Sequence, residues 1–109
     1  MKRGDFYRVR RASKPDPKDH RVYLIVSRQN FIETPFSTVV CAPVYSKYRD
    51  DITTQVEVGV DEGLKHDSAI FCDALISIQK SLLTDYVGTI SDTKMNKVNT
   101  ALREALAIE

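Results

Sequence analysis

One arginine stands at the start of an apolar run that could fix it in place. Arg21 precedes the sequence VYLIV, whose β-branched and apolar residues are typical of a buried strand. A guanidinium at the end of such a strand presents a planar fork of N–H donors that matches the oxygens of a phosphate group. The position of Arg21 therefore predicts a phosphate-binding site.

A histidine beside this arginine is a candidate for proton transfer. His20 directly precedes Arg21, and an imidazole, with an ordinary pKa of about 6.5, can exchange protons at neutral pH. Neighbouring residues of a strand point to opposite faces, so only one of the two faces a shared groove with ease. A solvated loop position is the alternative for His20, and His66 is expected at the surface.

Positive charge is concentrated near the beginning of the chain. The formal net charge is only +1, but six basic residues lie between residues 2 and 14, where Asp5 is the one acidic residue. Such a cluster can follow a phosphate backbone, although an ordinary solvated face is the alternative. The predicted nucleic-acid contacts are Arg8, Arg10, Lys14, Lys18, Lys47 and Tyr48, of which Tyr48 can stack on a base.

Length and composition predict one domain over residues 1–109. The chain has 109 residues, 42% of them hydrophobic, which suffices for a single core. Its apolar runs are too short to span a bilayer, and no apolar stretch of signal-peptide type follows the first residues, so we expect a cytoplasmic protein. Cys41 and Cys72 lie in apolar runs without metal-ligand spacing and are expected to be buried free thiols.

Short strands dominate the predicted structure. Alternation and β-branched composition predict strands near residues 6–10, 22–27, 38–44, 53–58, 69–78 and 86–90. The strand at 69–78 is expected to be interrupted at Asp73 and Ala74. Pro43 has no N–H and is expected at a sheet edge or a bulge.

The end of the chain differs in character. Residues 29–35 are expected to form a turn or connector, and residues 80–83 a single helical turn. From Asp92 onward apolar residues recur at helical spacing, with Ser91 or Asp92 as the N-cap. This order predicts an α+β domain, mainly β, in which a small antiparallel barrel is closed by one amphipathic C-terminal helix.

Five segments, in chain order, resemble the toxin family that includes MazF and the PemK/Kid proteins. They are MKRGDFYRV, HRVYLIVS, TVVCAPVYS, SAIFCDALISIQKSLL and VGTISDTKMNKVNTALREALAI. The resemblance runs almost end to end and implies an SH3-like barrel with a C-terminal helix. It also implies the toxin of a type II toxin–antitoxin system: a dimeric, sequence-selective endoribonuclease. Such an enzyme cleaves single-stranded RNA with no metal and no cofactor, and the attacking group is the 2′-hydroxyl of the RNA.

The same resemblance implies roles for particular residues. Arg21 falls on the family's catalytic arginine. The family's functional threonine falls on Tyr45, with Ser46 next to it, so one of these hydroxyls is expected to bond a phosphate oxygen. Asp73 matches an aspartate implicated in the Kid branch and is expected to act as a base or to hold Arg21. The predicted catalytic residues are Arg21, Ser46, Tyr45, Asp73 and His20.

Two alternatives to an enzyme stay open at the level of the sequence. The gyrase poison CcdB shares this fold without being an enzyme, but it carries a tryptophan-bearing tail and this chain has no Trp. Ala74 and Ile76 replace a glutamine and an arginine of the family, which would suit a non-catalytic member that binds an antitoxin or DNA. The expected partners are single-stranded RNA, a cognate antitoxin protein and a second copy of the chain, with operator DNA only through the antitoxin complex and no membrane.

Overall fold

The computed structural model describes residues 1–9 and 21–109, and within them seven strands form one curled antiparallel sheet. The strands are β1 (Asp5–Val9), β2 (Arg21–Ile25), β3 (Thr38–Tyr45), β4 (Gln55–Val58), β5 (Ser68–Phe71), β6 (Ile76–Gln79) and β7 (Asp85–Thr89). Their order across the sheet is β4-β5-β3-β2-β1-β7, and β6 lies beside the first half of β3. The predicted interruption at Asp73 and Ala74 is confirmed, because β5 and β6 are separate strands that both pair with β3.

Helical segments flank this sheet in the described part of the chain. They are α1 (Gln29–Glu33), α2 (Asp92–Ala105) and two single 3₁₀ turns at Val60–Glu62 and Lys80–Leu82. The start of α2 is as predicted, because the Ser91 hydroxyl accepts the N–H of Lys94 at 3.2 Å. The turn expected at residues 29–35 is instead mostly helix α1. No helix among the described residues is long and apolar enough to cross a membrane.

Apolar clusters cover both faces of the sheet. The inner face packs against α2 through buried residues that include Phe6, Leu24, Ile70 and Val98. The outer face packs against α1 through Ile25, Ile32, Val39 and Cys41. Since side chains alternate along a strand, β2 supplies neighbouring residues to opposite cores. The uninterrupted apolar run of β2 is thus explained by burial on two faces.

Both cysteines are buried free thiols, as predicted. Burial raises the pKa of Cys41 to about 12 and that of Cys72 to about 11, with the nearby Asp73 charge adding to the second. Both side chains therefore remain protonated at neutral pH and pack as small apolar groups.

Pro43 lies inside the sheet, so of its two predicted positions, a sheet edge or a bulge, the edge is wrong. It pairs with Tyr23 of β2 on one side. Val40 bonds toward that same side, because its N–H donates to the Ser27 hydroxyl and its carbonyl accepts the Val26 N–H. Alternation turns the nitrogen of Pro43 to the opposite side, where the pairing with β6 ends at Cys41 and that with β5 begins at Val44. A residue without an N–H is tolerated in this gap.

The segment after β4 contacts β7 and so joins the two ends of the strand order, a contact called the seam below. Two glycines make this contact possible. A Cβ atom on Gly88 of β7 would lie 2.1 Å from the carbonyl oxygen of Glu62, and one on Gly63 would lie 2.6 Å from that of Val87. Gly63 also has a φ of 91°, in the left-handed region that favours glycine. The segment after β4 therefore reaches β7 only because both positions lack a side chain.

An ion pair between a buried carboxylate and a partly exposed lysine links α2 to this seam. One carboxylate oxygen of Glu62 accepts the N–H of Gly59 at 2.7 Å, and the other pairs with the ammonium group of Lys94 on α2. Burial alone would raise the pKa of Glu62. The hydrogen bond and charge of Lys94, together with the Gly59 N–H, nevertheless lower the pKa below its ordinary value.

This pair predicts a dependence of stability on pH. Because the pKa of Glu62 is lower in the folded protein, its ionised form adds stability that is complete above the ordinary value of 4.5. That stability is lost as the pH falls through the folded pKa. Replacing Lys94 by Met leaves a buried carboxylate without its cation, and we expect Lys94→Met to cost about 2–3 kcal/mol at pH 7.

Urea denaturation of the wild type and Lys94→Met between pH 7 and pH 3 measures this effect. The wild type should lose more stability than the variant over the acidic part of the range. Lys97→Met, at an exposed position of the same helix, is the control and should follow the wild type. Identical pH dependence in Lys94→Met and the wild type would show that the pair does not stabilise the seam.

Candidate active site

A groove of about 990 Å³ opens where β2 begins and β3 ends. Its walls combine strand ends with the loops that follow β3 and precede β5. The polar lining consists of Arg8, Arg21, Tyr45, Ser46, Lys47, Lys65, His66 and Ser68, and the apolar lining of Val22, Val44 and Leu64.

The register of the sheet explains how residues so distant in sequence meet here. Val22 of β2 pairs with Val44 of β3, which sets Arg21 opposite Tyr45 across the two antiparallel strands. Tyr45 also pairs with Ala69 of β5, so the residues before Ala69 continue beside those after Tyr45. The ends of three strands therefore bring one basic residue and two loops together at the groove.

Arg21 is held by an aromatic ring rather than by a carboxylate. Its guanidinium carbon lies 4.8 Å from the centroid of the Tyr45 ring, a cation–π distance. The Tyr45 ring meets Phe71 edge to face at 4.8 Å and 88°, which limits its movement. Within the described residues no carboxylate forms an ion pair with Arg21, and its side chain is exposed. The fork of N–H donors is thus oriented and free to bind an anion.

The charge of the groove suits a polyanion. Four side chains of its lining are cations under ordinary conditions, namely Arg8, Arg21, Lys47 and Lys65, and none of the described lining residues is Asp or Glu. Within residues 1–9 and 21–109, Asp85 pairs with Arg8 at 3.7 Å and partly compensates its charge. Cations gathered in a concave surface attract phosphate groups at short range even when the whole chain is almost neutral.

The groove contains some of the residues that the sequence predicts and omits others. Arg8, Arg21, Tyr45, Ser46 and Lys47 all line it. Four further predicted residues, Arg10, Lys14, Lys18 and His20, lie outside the described part of the chain.

Two predicted site residues lie away from the groove lining. Asp73 lies in the turn after β5, where its carboxylate accepts a hydrogen bond from the Thr54 hydroxyl, and it forms no ion pair with Arg21. Tyr48 instead lines a separate surface depression together with Asp50 and Glu57. Asp73 therefore does not hold Arg21 through an ion pair.

Sequence reasoning missed Lys65 and His66 as groove residues. Both stand in the irregular segment before β5, where no periodicity indicates a direction. The feature that places them in the groove is the pairing of β5 with the end of β3. That pairing follows from the topology of the whole sheet and not from local sequence.

Comparison with known proteins gives consistent matches along the whole chain. The model of the family described as PemK-like, MazF-like toxin of type II toxin–antitoxin system matches residues 2–106. A relative named endoribonuclease EndoA, from Bacillus subtilis (strain 168), is 30% identical over 111 residues, which are 99% of this chain and 96% of the relative.

Solved structures also match. An endoribonuclease from a mycobacterial species, in complex with its cognate antitoxin, has a TM-score of 0.83 and 28% identity over 100% of this chain and 97% of its own. Another mycobacterial endoribonuclease has a TM-score of 0.79 and 29% identity, covering 98% of this chain and 91% of its own.

Proposed function

The chain belongs to the PemK-like, MazF-like toxins of type II toxin–antitoxin systems, and from this we propose that it is an endoribonuclease that cuts single-stranded RNA at Arg21. One observation carries the assignment of the site: the guanidinium of Arg21 is stacked on Tyr45 with no ion-pair partner among the described residues, inside a groove lined by cations. We further propose that cleavage is sequence-selective, requires no metal and takes place in the cytoplasm.

The reaction uses a nucleophile that RNA supplies. The 2′-oxygen attacks the adjacent phosphorus, a 2′,3′-cyclic phosphate forms, and the bond to the 5′-oxygen of the next nucleotide breaks. Negative charge grows on the phosphoryl oxygens, where the fork of Arg21 can donate two hydrogen bonds. A hydroxyl of Ser46 or Tyr45 can donate a third. Lys47 and Lys65 are placed to bind flanking phosphates.

The proposed partners follow from the same family. A type II toxin is held inactive by a cognate antitoxin protein, and we propose such a partner here, with operator DNA bound only through the toxin–antitoxin complex. The non-catalytic alternative depends on Ala74 and Ile76, which both lie outside the described lining of the groove.

Removing the Arg21 guanidinium should greatly slow cleavage. A preorganised donor to a developing oxyanion contributes about 3–4 kcal/mol, so Arg21→Ala should slow cleavage by roughly 10²- to 10³-fold. Arg21→Lys keeps the charge but lacks the planar fork of donors, so its cleavage rate should lie between those of the wild type and Arg21→Ala. The measurement is cleavage of a long RNA in EDTA, with detection of 2′,3′-cyclic phosphate ends and circular dichroism to confirm folding.

Arg103→Ala, which removes an exposed arginine of α2, is the control and should cleave like the wild type. If well-folded wild type cuts no long RNA, the enzymatic function is refuted. If Arg21→Ala cuts as fast as the wild type, the groove is not the active site.

Tyr45 and Ser46 should differ in their contributions. Tyr45→Phe keeps the ring that stacks on Arg21 and contacts Phe71, so its cleavage rate should stay within a few-fold of the wild type. Ser46→Ala removes a hydroxyl that can donate to a charged phosphate, a bond of about 1.5–3 kcal/mol, so its rate should fall roughly 10- to 100-fold. Single-turnover cleavage rates measure both. Equal and negligible effects would exclude the end of β3 from the site.

We propose that the toxin acts as a homodimer. Phe36 is 60% exposed and Phe31 is 38% exposed, and their rings contact each other edge to face at 5.5 Å. The ammonium group of Lys80 donates to the carbonyls of Phe31 and Thr34, which brings the 3₁₀ turn with the exposed Leu82 to the same region. A cluster of large apolar side chains in water favours burial against a second copy.

Light scattering tests the dimer. At micromolar concentration the wild type should have twice the mass of the 12.4 kDa chain, and Phe36→Asp should have the mass of one chain, because a carboxylate at a buried contact is costly. Glu33→Asp, at an exposed position of α1, is the control and should remain dimeric. A monomeric wild type would contradict the proposal.

A further inference from the structure

His66 lies in the groove, and the cleavage reaction described above assigns no role to its imidazole. Its side chain is exposed and lines the same groove as Arg21, Tyr45 and Ser46. It comes from the loop before β5, on the other side of β3 from Arg21.

The backbone around His66 is fixed even though its ring is exposed. Leu64 and Ser68, two residues away on either side, are both 7% exposed. The Ser68 hydroxyl donates to the carbonyl of His66 at 3.0 Å, and Ser68 itself pairs with Val58 in the sheet. The loop is therefore anchored at both ends, and His66 between them lines a groove that an anion can enter.

The cleavage reaction requires a group that accepts the proton of the attacking 2′-hydroxyl. Arginine and lysine stay protonated at neutral pH, and serine and tyrosine hydroxyls are poor acceptors there. Imidazole is the side chain that titrates near neutral pH and is mostly neutral in the cytoplasm. Among the described lining residues, His66 alone carries one.

Resting on the proposed function, we propose that His66 is the general base of RNA cleavage. A ring nitrogen of His66 accepts the proton as the 2′-oxygen forms its bond to phosphorus. The bond from phosphorus to the 5′-oxygen then breaks, and that oxygen takes a proton from solvent water. Arg21 stays protonated throughout and binds the phosphoryl oxygens.

The charged groups around His66 come from several elements. Lys65 and Asp67 flank it in its own loop, Lys47 lies in the loop after β3, and Arg8 and Arg21 lie on β1 and β2. Side chains of these types ordinarily exchange protons far from pH 7, so a change of rate in that range is typical of an imidazole.

The test is the pH profile of single-turnover cleavage in EDTA. The substrate is a short RNA that contains one site at which the wild-type protein cuts a long RNA. Between pH 5 and 9 the wild-type rate should rise with pH and then level, as is expected of a reaction that uses a general base. His66→Ala should be at least 100-fold slower at pH 7.5 and should lack this rise. His66→Gln, which keeps a hydrogen-bonding side chain that cannot titrate, should be equally impaired.

Two further measurements separate a base from other roles. Affinity for the same oligonucleotide with a 2′-deoxy group at the cleavage site should change less than twofold in His66→Ala, since a base contributes to the reaction more than to binding. A substrate with sulfur in place of the 5′-oxygen has a leaving group that needs no proton. His66→Ala should remain slow on it.

Each contrary result has a distinct meaning. If the wild type cleaves and His66→Ala keeps its rate and profile, or if His20→Ala loses the rise instead, the role of His66 is overturned. Full recovery of His66→Ala on the sulfur substrate would make His66 an acid and not the base. A loss of affinity as large as the loss of rate would make it a binding residue. Absence of cleavage by the wild type would refute the proposed function as a whole.

Discussion

The pairing of β2 with β3 is the constraint on which the active site depends. It sets Val22 against Val44 and so brings the guanidinium of Arg21 over the ring of Tyr45. A slip of one residue would turn Arg21 to the opposite face of the sheet. The register is protected because β2 buries Leu24 in the inner core and Ile25 in the outer core, so a slip would exchange residues between two packed environments.

The opposite wall of the groove is held by features that at first concern only stability. The seam glycines allow the segment after β4 to touch β7, and Glu62 ties this segment to Lys94 of α2. Leu64 follows the seam directly and is buried in the inner core, and the exposed pair of Lys65 and His66 comes next. The position of the proposed base is therefore set by the closure of the sheet and by the C-terminal helix.

Much of this structure could be predicted from the sequence, and the exceptions have physical causes. The strands, the N-cap at Ser91 and the C-terminal helix follow from alternation, capping chemistry and helical spacing. The edge position predicted for Pro43 is wrong because a gap between two partner strands permits a proline inside a sheet, and local sequence does not reveal such a gap. The sequence of its own strand predicts the position of Arg21, whereas His66 lies in the groove because of pairing between strands that are distant in sequence.

The most direct test of the proposed site is a crystal structure of the protein with a single-stranded RNA whose cleavage is blocked by a 2′-deoxy group at the cut position. The scissile phosphate should accept hydrogen bonds from the guanidinium of Arg21, close to the Ser46 hydroxyl, with the imidazole of His66 within hydrogen-bond distance of the position that the 2′-oxygen would occupy. A phosphate bound elsewhere on the sheet, with Arg21 free of contact to the RNA, would contradict it.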